Sequence, residues 1–251
     1  MKKAMMLAVV LGMCIAPMAA KASDGLSYDM VVGLSYAREG GVLPNTAAYK
    51  WWYGCSPTSA GMAMAYYDLN GYGGLSYSNL VAGGVAETTT FPSTAGTWTY
   101  LAQYAIASEG HVVDFYSAGY KGSGDDAYAG RAFDCLADFM GTSQDSAGNS
   151  NSITYFRFWK SGKALTYDQI EGLGASYYES DGMYGIGEYI TYCGYSFTDL
   201  YTQLTDNNYF EYESFLGGFT FEDYMDEIDA GRVVLLHVKG HTMIGVGYGD
   251  D

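Results

Sequence analysis

The stretch KWWYGCSPTSAGMAMAYYDLNGY, residues 50–72, decides the fold prediction. A Ser-Pro start and a glycine stop predict a helix over residues 56–70. Apolar residues fall on several faces of this helix, and a helix that is apolar most of the way round is usually buried. The sequence therefore predicts that Cys55 lies at the N-terminus of a central helix.

This position suits a cysteine that acts as a nucleophile. Backbone N–H groups at a helix N-terminus have no partner within the helix, and the positive end of the helix dipole stabilises a thiolate. A neighbouring histidine would favour the thiolate further by becoming an imidazolium ion. The candidate histidines are His111, His237 and His241.

The context of each histidine separates these candidates. His241 begins the strand HTMIGVGY and shares a face with Gly245 and Gly247, which leave room beside the ring for a helix end or a substrate. His237 lies within the apolar run VVLLHV, which favours a core histidine with satisfied hydrogen bonds. We interpret His111 as a surface or ion-paired residue. His241 is the predicted partner of Cys55.

The remaining pattern of the chain predicts an α+β fold. Helices come first and strands come late, and a clear helix leads into a closing hairpin. The predicted helices cover residues 97–109, 127–140 and TFEDYMDEIDAG, with helical hints near 198–205, and the predicted strands are HVVDFY, ITYFRFW, RVVLLHV and HTMIGVGY.

The first 22 residues have the pattern of a secretory signal peptide. Lys2 and Lys3 form a positive start, an almost wholly apolar run follows, and a small-residue cleavage site ends at Ala22. We therefore predict that residues 1–22 are removed, that the protein is secreted, periplasmic or extracellular, and that residues 23–251 form a single domain.

Three cysteines remain after this cleavage: Cys55, Cys135 and Cys193. Thiols tend to pair in an oxidising compartment, but three thiols cannot all pair within one chain. Cys135 and Cys193 could bridge each other, and spacing alone cannot prove it. Cys55 is the natural unpaired thiol.

Charge excludes some classes of partner. The formal net charge is −16, and an acidic surface repels both the phosphate backbone of nucleic acids and anionic membranes. We expect a peptide or protein substrate, no nucleic acid, and no membrane association after cleavage. The oligomeric state stays open.

No metal or cofactor is predicted. Asp145, Asn149 and Asn151 have spacings that could hold calcium, but the loop lacks the ligand alternation and final glutamate of a known site. His237 and His241 are four residues apart, but they do not lie on a helix, which argues against zinc. No phosphate-binding glycine motif is present.

Two segments together resemble a known family. YGCSPTSAGMAMAYYDLNGY is similar to the cysteine motif of the C39-like branch of papain-fold cysteine peptidases, and GRVVLLHVKGHTMIGVGYGDD resembles the histidine strand of that fold. The two motifs occur in the expected order. The resemblance implies an α+β, papain-like fold in which a central buried helix carries the cysteine and packs on an antiparallel sheet that carries the histidine.

The resemblance also implies roles for residues. Cys55 would be the nucleophile, His241 the general base and acid, and the backbone N–H of Cys55 one oxyanion donor. No glutamine precedes Cys55 as second oxyanion donor, and the chain stops soon after Tyr248, before the strand that usually carries the histidine-orienting residue. We interpret the domain as C-terminally incomplete. Substitute oxyanion donors, each better explained by packing, are Tyr49, Lys50, Trp52 and Tyr53.

The function that this resemblance implies is thiol-dependent hydrolysis of peptide bonds through an acyl-enzyme thioester, formed by a Cys-His dyad or triad. Two alternatives stay open. One is a catalytically inactive binding or surface protein with the same fold, because a fold can be kept when its catalytic activity is lost. The other is an amidase or acyltransferase that acts on cell-wall peptides.

Overall fold

The structure is a computed structural model, and it shows a mixed α+β architecture with small antiparallel strands. Of residues 6–12, 209–210 and 213–214 only the backbone is described. None of the helices in the described ranges is both long and apolar enough to span a bilayer. The described residues are 6–12, 40–81, 100–108, 133–144, 149, 152–205, 209–210, 213–214, 217–238 and 240–249.

Helix α1, Cys55–Asn70, is the centre of the fold and confirms the predicted helix. Most of its residues are buried, as its all-round apolar sequence predicts. The helix ends at Gly71, whose φ is 67° and whose N–H donates to the Tyr67 carbonyl oxygen at 2.8 Å. Helix α2, Leu101–Ile106, packs against α1 at Gly61, where a Cβ atom would lie 2.5 Å from Ile106 Cγ1.

A five-stranded sheet packs against α1, and every pair of neighbouring strands is antiparallel. The two predicted closing strands are confirmed as its hairpin. The strand order across the sheet is β3 (Leu165–Thr166), β4 (Asp199–Leu204), β1 (Met6–Gly12), β7 (Val234–Val238) and β8 (His241–Gly245).

The two faces of the sheet contact different helices. Leu235 belongs to the main core that surrounds α1, whereas Val234 packs with Phe219 and Tyr224 in a smaller apolar cluster. Tyr224 lies on helix α7, Phe221–Asp229, which confirms a predicted helix and which Thr220 caps. Because side chains alternate along a strand, α1 and α7 lie on opposite faces of the hairpin.

Strand β1 comes from the segment that the sequence predicts to be a signal peptide. Its backbone pairs with β4 from Leu7↔Leu204 to Gly12↔Asp199, and with β7 from Met6↔Val238 to Val10↔Val234. The strand therefore occupies the middle of the sheet. A segment that is removed cannot keep this place in the sheet.

Four short helices form a second packed group beside α1. Helix α6, Gly182–Tyr192, lies against helix α3, Leu136–Phe139, at Gly185, where a Cβ atom would overlap the Phe139 carbonyl oxygen. Asp181 caps α6, because its Oδ1 accepts from the N–H groups of Met183 and Tyr184, each at 3.0 Å. The four helices are α3 (Leu136–Phe139), α4 (Tyr167–Glu171), α5 (Ala175–Tyr178) and α6 (Gly182–Tyr192).

Two small strand pairs complete the described fold. Strand β2, Gly41–Val42, pairs with β9, Gly247–Tyr248, next to the end of β8. Strand β5, Tyr209–Phe210, pairs with β6, Glu213–Ser214.

Several predicted elements were wrong or shorter than expected. Residues 153–159 are not a strand: the Arg157 N–H donates to Asp181 Oδ2 at 2.6 Å, so a helix cap takes the place of a strand partner. The segment near 198–205 is strand β4 rather than helix. Within 97–109 and 127–140 the described helical residues are only those of α2 and α3, and HVVDFY lies outside the described residues.

Candidate active site

Cys55 is the first residue of α1 and carries a free thiol. Its side chain is partly exposed, whereas the next residues, Ser56 to Thr58, are buried. The N-cap residue is Gly54, which has no side chain to bond the first N–H groups of the helix. The sulfur therefore stands beside backbone donors that no capping side chain occupies.

The backbone just before Cys55 is strained. Tyr53 has a φ of 67°, and the Gly54 N–H donates to the Trp52 carbonyl oxygen at 2.8 Å, which closes a tight three-residue turn. A bulky buried residue in the left-handed region costs free energy, and such strain concentrates at functional sites. The turn presents Cys55 at the helix start.

Thr58 holds this turn onto the helix. Its hydroxyl accepts from the Trp52 N–H at 3.0 Å and lies 2.6 Å from the Gly54 carbonyl oxygen, to which it donates. The strained turn is therefore fixed by a buried side chain one helical turn after Cys55.

A chain of hydrogen bonds connects α1 to the hairpin. Ser56 Oγ lies 2.7 Å from Thr242 Oγ1, and Thr242 Oγ1 lies 2.7 Å from His237 Nδ1. Ser59 Oγ also donates to the Thr242 carbonyl oxygen at 3.1 Å. The residue after Cys55 is thereby joined to the residue after His241.

His241 itself is placed differently from the expectation. It is exposed, and strand alternation puts it on the face opposite Thr242. In the described part of the chain no hydrogen bond joins Cys55 and His241. The structure brings their neighbours together, but not the thiol and the imidazole.

The space predicted beside His241 is also occupied. A Cβ atom at Gly245 would lie 2.7 Å from Tyr224 Cε2, and one at Gly247 would lie 2.8 Å from the Gly41 carbonyl oxygen. These glycines admit α7 and β2 rather than the N-terminus of α1. The expectation that they leave open room beside the ring for a helix end or a substrate was wrong, because Tyr224 and Gly41 occupy that space.

His237 is a partly buried histidine with satisfied contacts, as its apolar surroundings predicted. Its ring also packs against Phe156, with centroids 5.2 Å apart. Burial lowers the pKa of His237, and the positive charge that His241 can carry lowers it further. His237 is therefore held toward the neutral form.

The residues that could replace the missing glutamine lie mainly in the core. Tyr49, Trp52 and Tyr53 are buried, and Lys50 is exposed. This placement agrees with packing as the main role of the three aromatic residues, but not of Lys50. The backbone N–H groups at the start of α1 are the better candidates for holding an oxyanion.

The other two described cysteines are also free thiols, so the structure contains no bridge between Cys135 and Cys193. Cys135 Sγ donates to Asp138 Oδ2 at 3.1 Å, and burial, followed by the charge of Asp138, raises the Cys135 pKa well above its usual value. Burial raises the pKa of Cys193 to about 11. Both groups are inert thiols rather than nucleophiles.

Asp134, Cys135 and Asp138 offer ligand atoms within 4.8 Å of one another, which is close enough for a metal ion. The protonated, desolvated thiol disfavours this use, because metals bind the thiolate. Asn149 is buried and donates to the Gly141 carbonyl oxygen at 2.8 Å. His111, Asp145 and Asn151 lie outside the described residues.

Thr242 is the site residue that sequence reasoning missed. The alternation in HTMIG already put it on the face opposite His241, and a small β-branched hydroxyl residue on that face can contact a helix N-terminus. Nothing in the sequence near Ser56 predicted its hydrogen bond to Thr242, because the two residues are far apart along the chain and meet only in the folded structure.

Comparisons of this chain with protein-family models, with curated proteins and with solved structures find no match.

Proposed function

We propose that this protein is a secreted, thiol-dependent hydrolase of peptide bonds with a papain-like fold, in which Cys55 is the nucleophile and His241 the general base. The observation that carries the proposal is the 2.7 Å contact between Ser56 Oγ and Thr242 Oγ1. Adjacent Cα atoms are 3.8 Å apart, so this contact brings the backbone of Cys55 close to that of His241, although the two side chains leave their backbones on different faces of the hairpin.

The setting of each residue supports these roles. Cys55 is a partly exposed thiol at a helix start, next to a strained turn. His241 is exposed at the first position of β8, after Gly240, whose φ is 82°. Strand alternation puts the His241 ring on the face opposite α1, so the proposed role requires the backbone at Gly240 and His241 to turn the ring toward Cys55.

The proposed reaction has two steps. The Cys55 thiolate attacks the carbonyl carbon, an S–C bond forms, and the imidazolium gives its proton to the leaving amine as the C–N bond breaks. A water molecule then attacks the thioester while the imidazole accepts its proton, and the thiolate is released with the carboxylic acid. The N–H groups at the start of α1 would stabilise both oxyanions.

Alkylation of the full-length protein tests the nucleophile. We expect iodoacetamide near neutral pH to label Cys55 selectively, as mapped by mass spectrometry, because Cys135 and Cys193 are buried. Cys55→Ala should abolish both this labelling and the hydrolysis of a mixed peptide library. Labelling of Cys55 no faster than that of glutathione would contradict the proposal.

The same experiments separate the alternatives. For a binding or surface protein, wild type and Cys55→Ala would behave alike in every activity assay and still retain a ligand. For an amidase or acyltransferase, Cys55 would react with iodoacetamide, but cell-wall peptides would be consumed where ordinary peptides are not.

A further inference from the structure

A cavity of about 720 Å³ opens beside helices α3, α5 and α6, away from the residues proposed for catalysis. This volume suits a small molecule or a large side chain. Its lining includes the aromatic rings of Phe133, Phe139, Tyr178 and Tyr184.

The charged residues in the lining are both carboxylates. Glu179 is exposed and Glu188 is partly buried, and the described lining contains no lysine or arginine. Arg157 is bonded next to the cavity: its Nη2 donates to Ser180 Oγ at 2.8 Å and its Nε donates to the Tyr177 carbonyl oxygen at 2.7 Å. The guanidinium is thus already bonded to the protein, and no described lysine or arginine in the lining pairs with the two carboxylates.

The aromatic wall is held in a fixed arrangement. The Tyr184 ring stacks on Tyr167, with centroids 4.5 Å apart and planes 5° apart, and it also contacts Tyr178 at 4.8 Å. The Tyr167 hydroxyl donates to Glu188 Oε1 and so positions that carboxylate beside the rings. Burial raises the Tyr167 pKa far above its usual value, which keeps this hydroxyl a donor.

Rings next to carboxylates form the chemistry that recognises organic cations. The face of an aromatic ring attracts an ammonium or guanidinium group, and a partly desolvated carboxylate adds a direct ionic partner. An anion would be repelled here, and an uncharged apolar ligand would cover the Glu188 carboxylate without adding an ionic partner to the Tyr167 hydrogen bond.

We propose that this cavity binds an organic cation, either the ammonium or guanidinium group of a peptide side chain or a free quaternary amine. The binding is independent of Cys55, so it holds whether or not the protein is a hydrolase. The acidic surface, with its formal net charge of −16, would favour the approach of such ligands.

Isothermal titration calorimetry of the full-length protein at low ionic strength tests the proposal. The probes are N-acetyl-lysine methylamide, its uncharged norleucine counterpart and tetramethylammonium. We expect a Kd on the order of 1 mM for a cation, which corresponds to about −4 kcal/mol, and at least tenfold weaker binding of the norleucine probe. Preference for the lysine probe assigns a peptide side chain, and preference for tetramethylammonium assigns a free amine.

Variants locate the binding. Glu188→Gln should weaken the binding of the cation about tenfold, and Phe133→Leu should weaken it severalfold by removing an exposed ring from the lining. Glu222→Gln on α7 makes the same charge change outside the cavity and should have no effect. Should Glu188→Gln unfold, the exposed Glu179→Gln variant replaces it. Equal binding of lysine and norleucine probes, no binding at all, or unchanged affinity in both cavity carboxylate variants would overturn the proposal.

Discussion

Ser56 Oγ and Thr242 Oγ1 lie 2.7 Å apart across the interface between α1 and β8, and both side chains are buried. The same Thr242 oxygen reaches His237 Nδ1. One hydroxyl group therefore joins the helix that begins with Cys55 to both strands of the closing hairpin.

Removal of that hydroxyl should destabilise the fold. Thr242→Val keeps the shape of the side chain but leaves Ser56 and His237 with one buried partner fewer, so we expect a loss of about 1–3 kcal/mol in the free energy of unfolding. Urea denaturation followed by circular dichroism measures it. Thr242→Ser retains the hydroxyl and should lose less, and a Val variant as stable as wild type would show that the chain of hydrogen bonds contributes nothing.

The two histidines should differ in their effect on the reactivity of Cys55. If His241 is the base, His241→Gln should lower the rate of iodoacetamide labelling and of any hydrolysis by about 10²-fold or more. His237→Gln should change these rates by much less, since Gln can still bond Thr242. The reverse ranking would assign the base to His237, and equal rates in both variants would argue against a Cys-His pair.

Asp181 should make the stability of the fold depend on pH. Burial raises the Asp181 pKa to about 6, above the value of about 4 for an unfolded chain. The folded state then binds more protons between these values, so its stability falls as the pH rises from 4 to 6. Asp181→Asn cannot titrate, and asparagine caps a helix as well as aspartate does.

We therefore expect the difference in unfolding free energy between wild type and Asp181→Asn to shift by on the order of 2 kcal/mol between pH 4 and pH 7, in favour of the variant at the higher pH. Urea midpoints at both pH values measure it. Parallel pH profiles for the two proteins would contradict the raised pKa.

Gly185 should tolerate no side chain. A Cβ atom there would overlap the Phe139 carbonyl oxygen, so Gly185→Ala must separate α3 from α6, and we expect a loss of at least about 2 kcal/mol. Gly172→Ala is the matched control, because its new Cβ would meet nothing closer than 3.4 Å and its φ is −62°. That variant should be as stable as wild type or slightly more stable. Similar melting temperatures for both variants would count against the packing described here.

Identification of the first residue of the protein outside the cytoplasm would distinguish removal of residues 1–22 as a signal peptide from their retention with strand β1. We expect mass spectrometry of protein collected outside the cytoplasm to give Ser23 as the first residue, because the cleavage pattern ends at Ala22. Intact Met6–Gly12 in that protein would instead show that β1 is a permanent strand.

The elements that were predictable from sequence are those with local signals. Helix α1 has a start, a stop and an all-round apolar pattern, and α7 has Thr220 and Asp223 in a capping box. Of the two closing strands, Val234–Val238 carries an apolar run that only His237 interrupts. Each of these signals lies within a few residues of the element that it specifies.

The elements that were missed depend on distant contacts. In residues 153–159, an apolar and aromatic run with high strand propensity, the Arg157 N–H is bonded to Asp181 instead of a strand. Strand β4 alternates buried Leu200, Thr202 and Leu204 with more exposed residues. This period of two is typical of a half-buried strand and could be predicted from the sequence. The alternation in HTMIG placed His241 on the face of Gly245 correctly, but nothing in the sequence showed that Tyr224 would pack beside Gly245.

The position of β1 has a consequence for export. If the leader is cut after Ala22, the edges of β4 and β7 lose their shared neighbour, and a row of N–H and C=O groups along each of them needs a new partner. Open edges of this kind are templates for a further strand. A cleaved form would then either pair another extended segment into the gap or assemble with copies of itself. The leader would thus serve the sheet as a strand partner before cleavage, in addition to being a targeting signal.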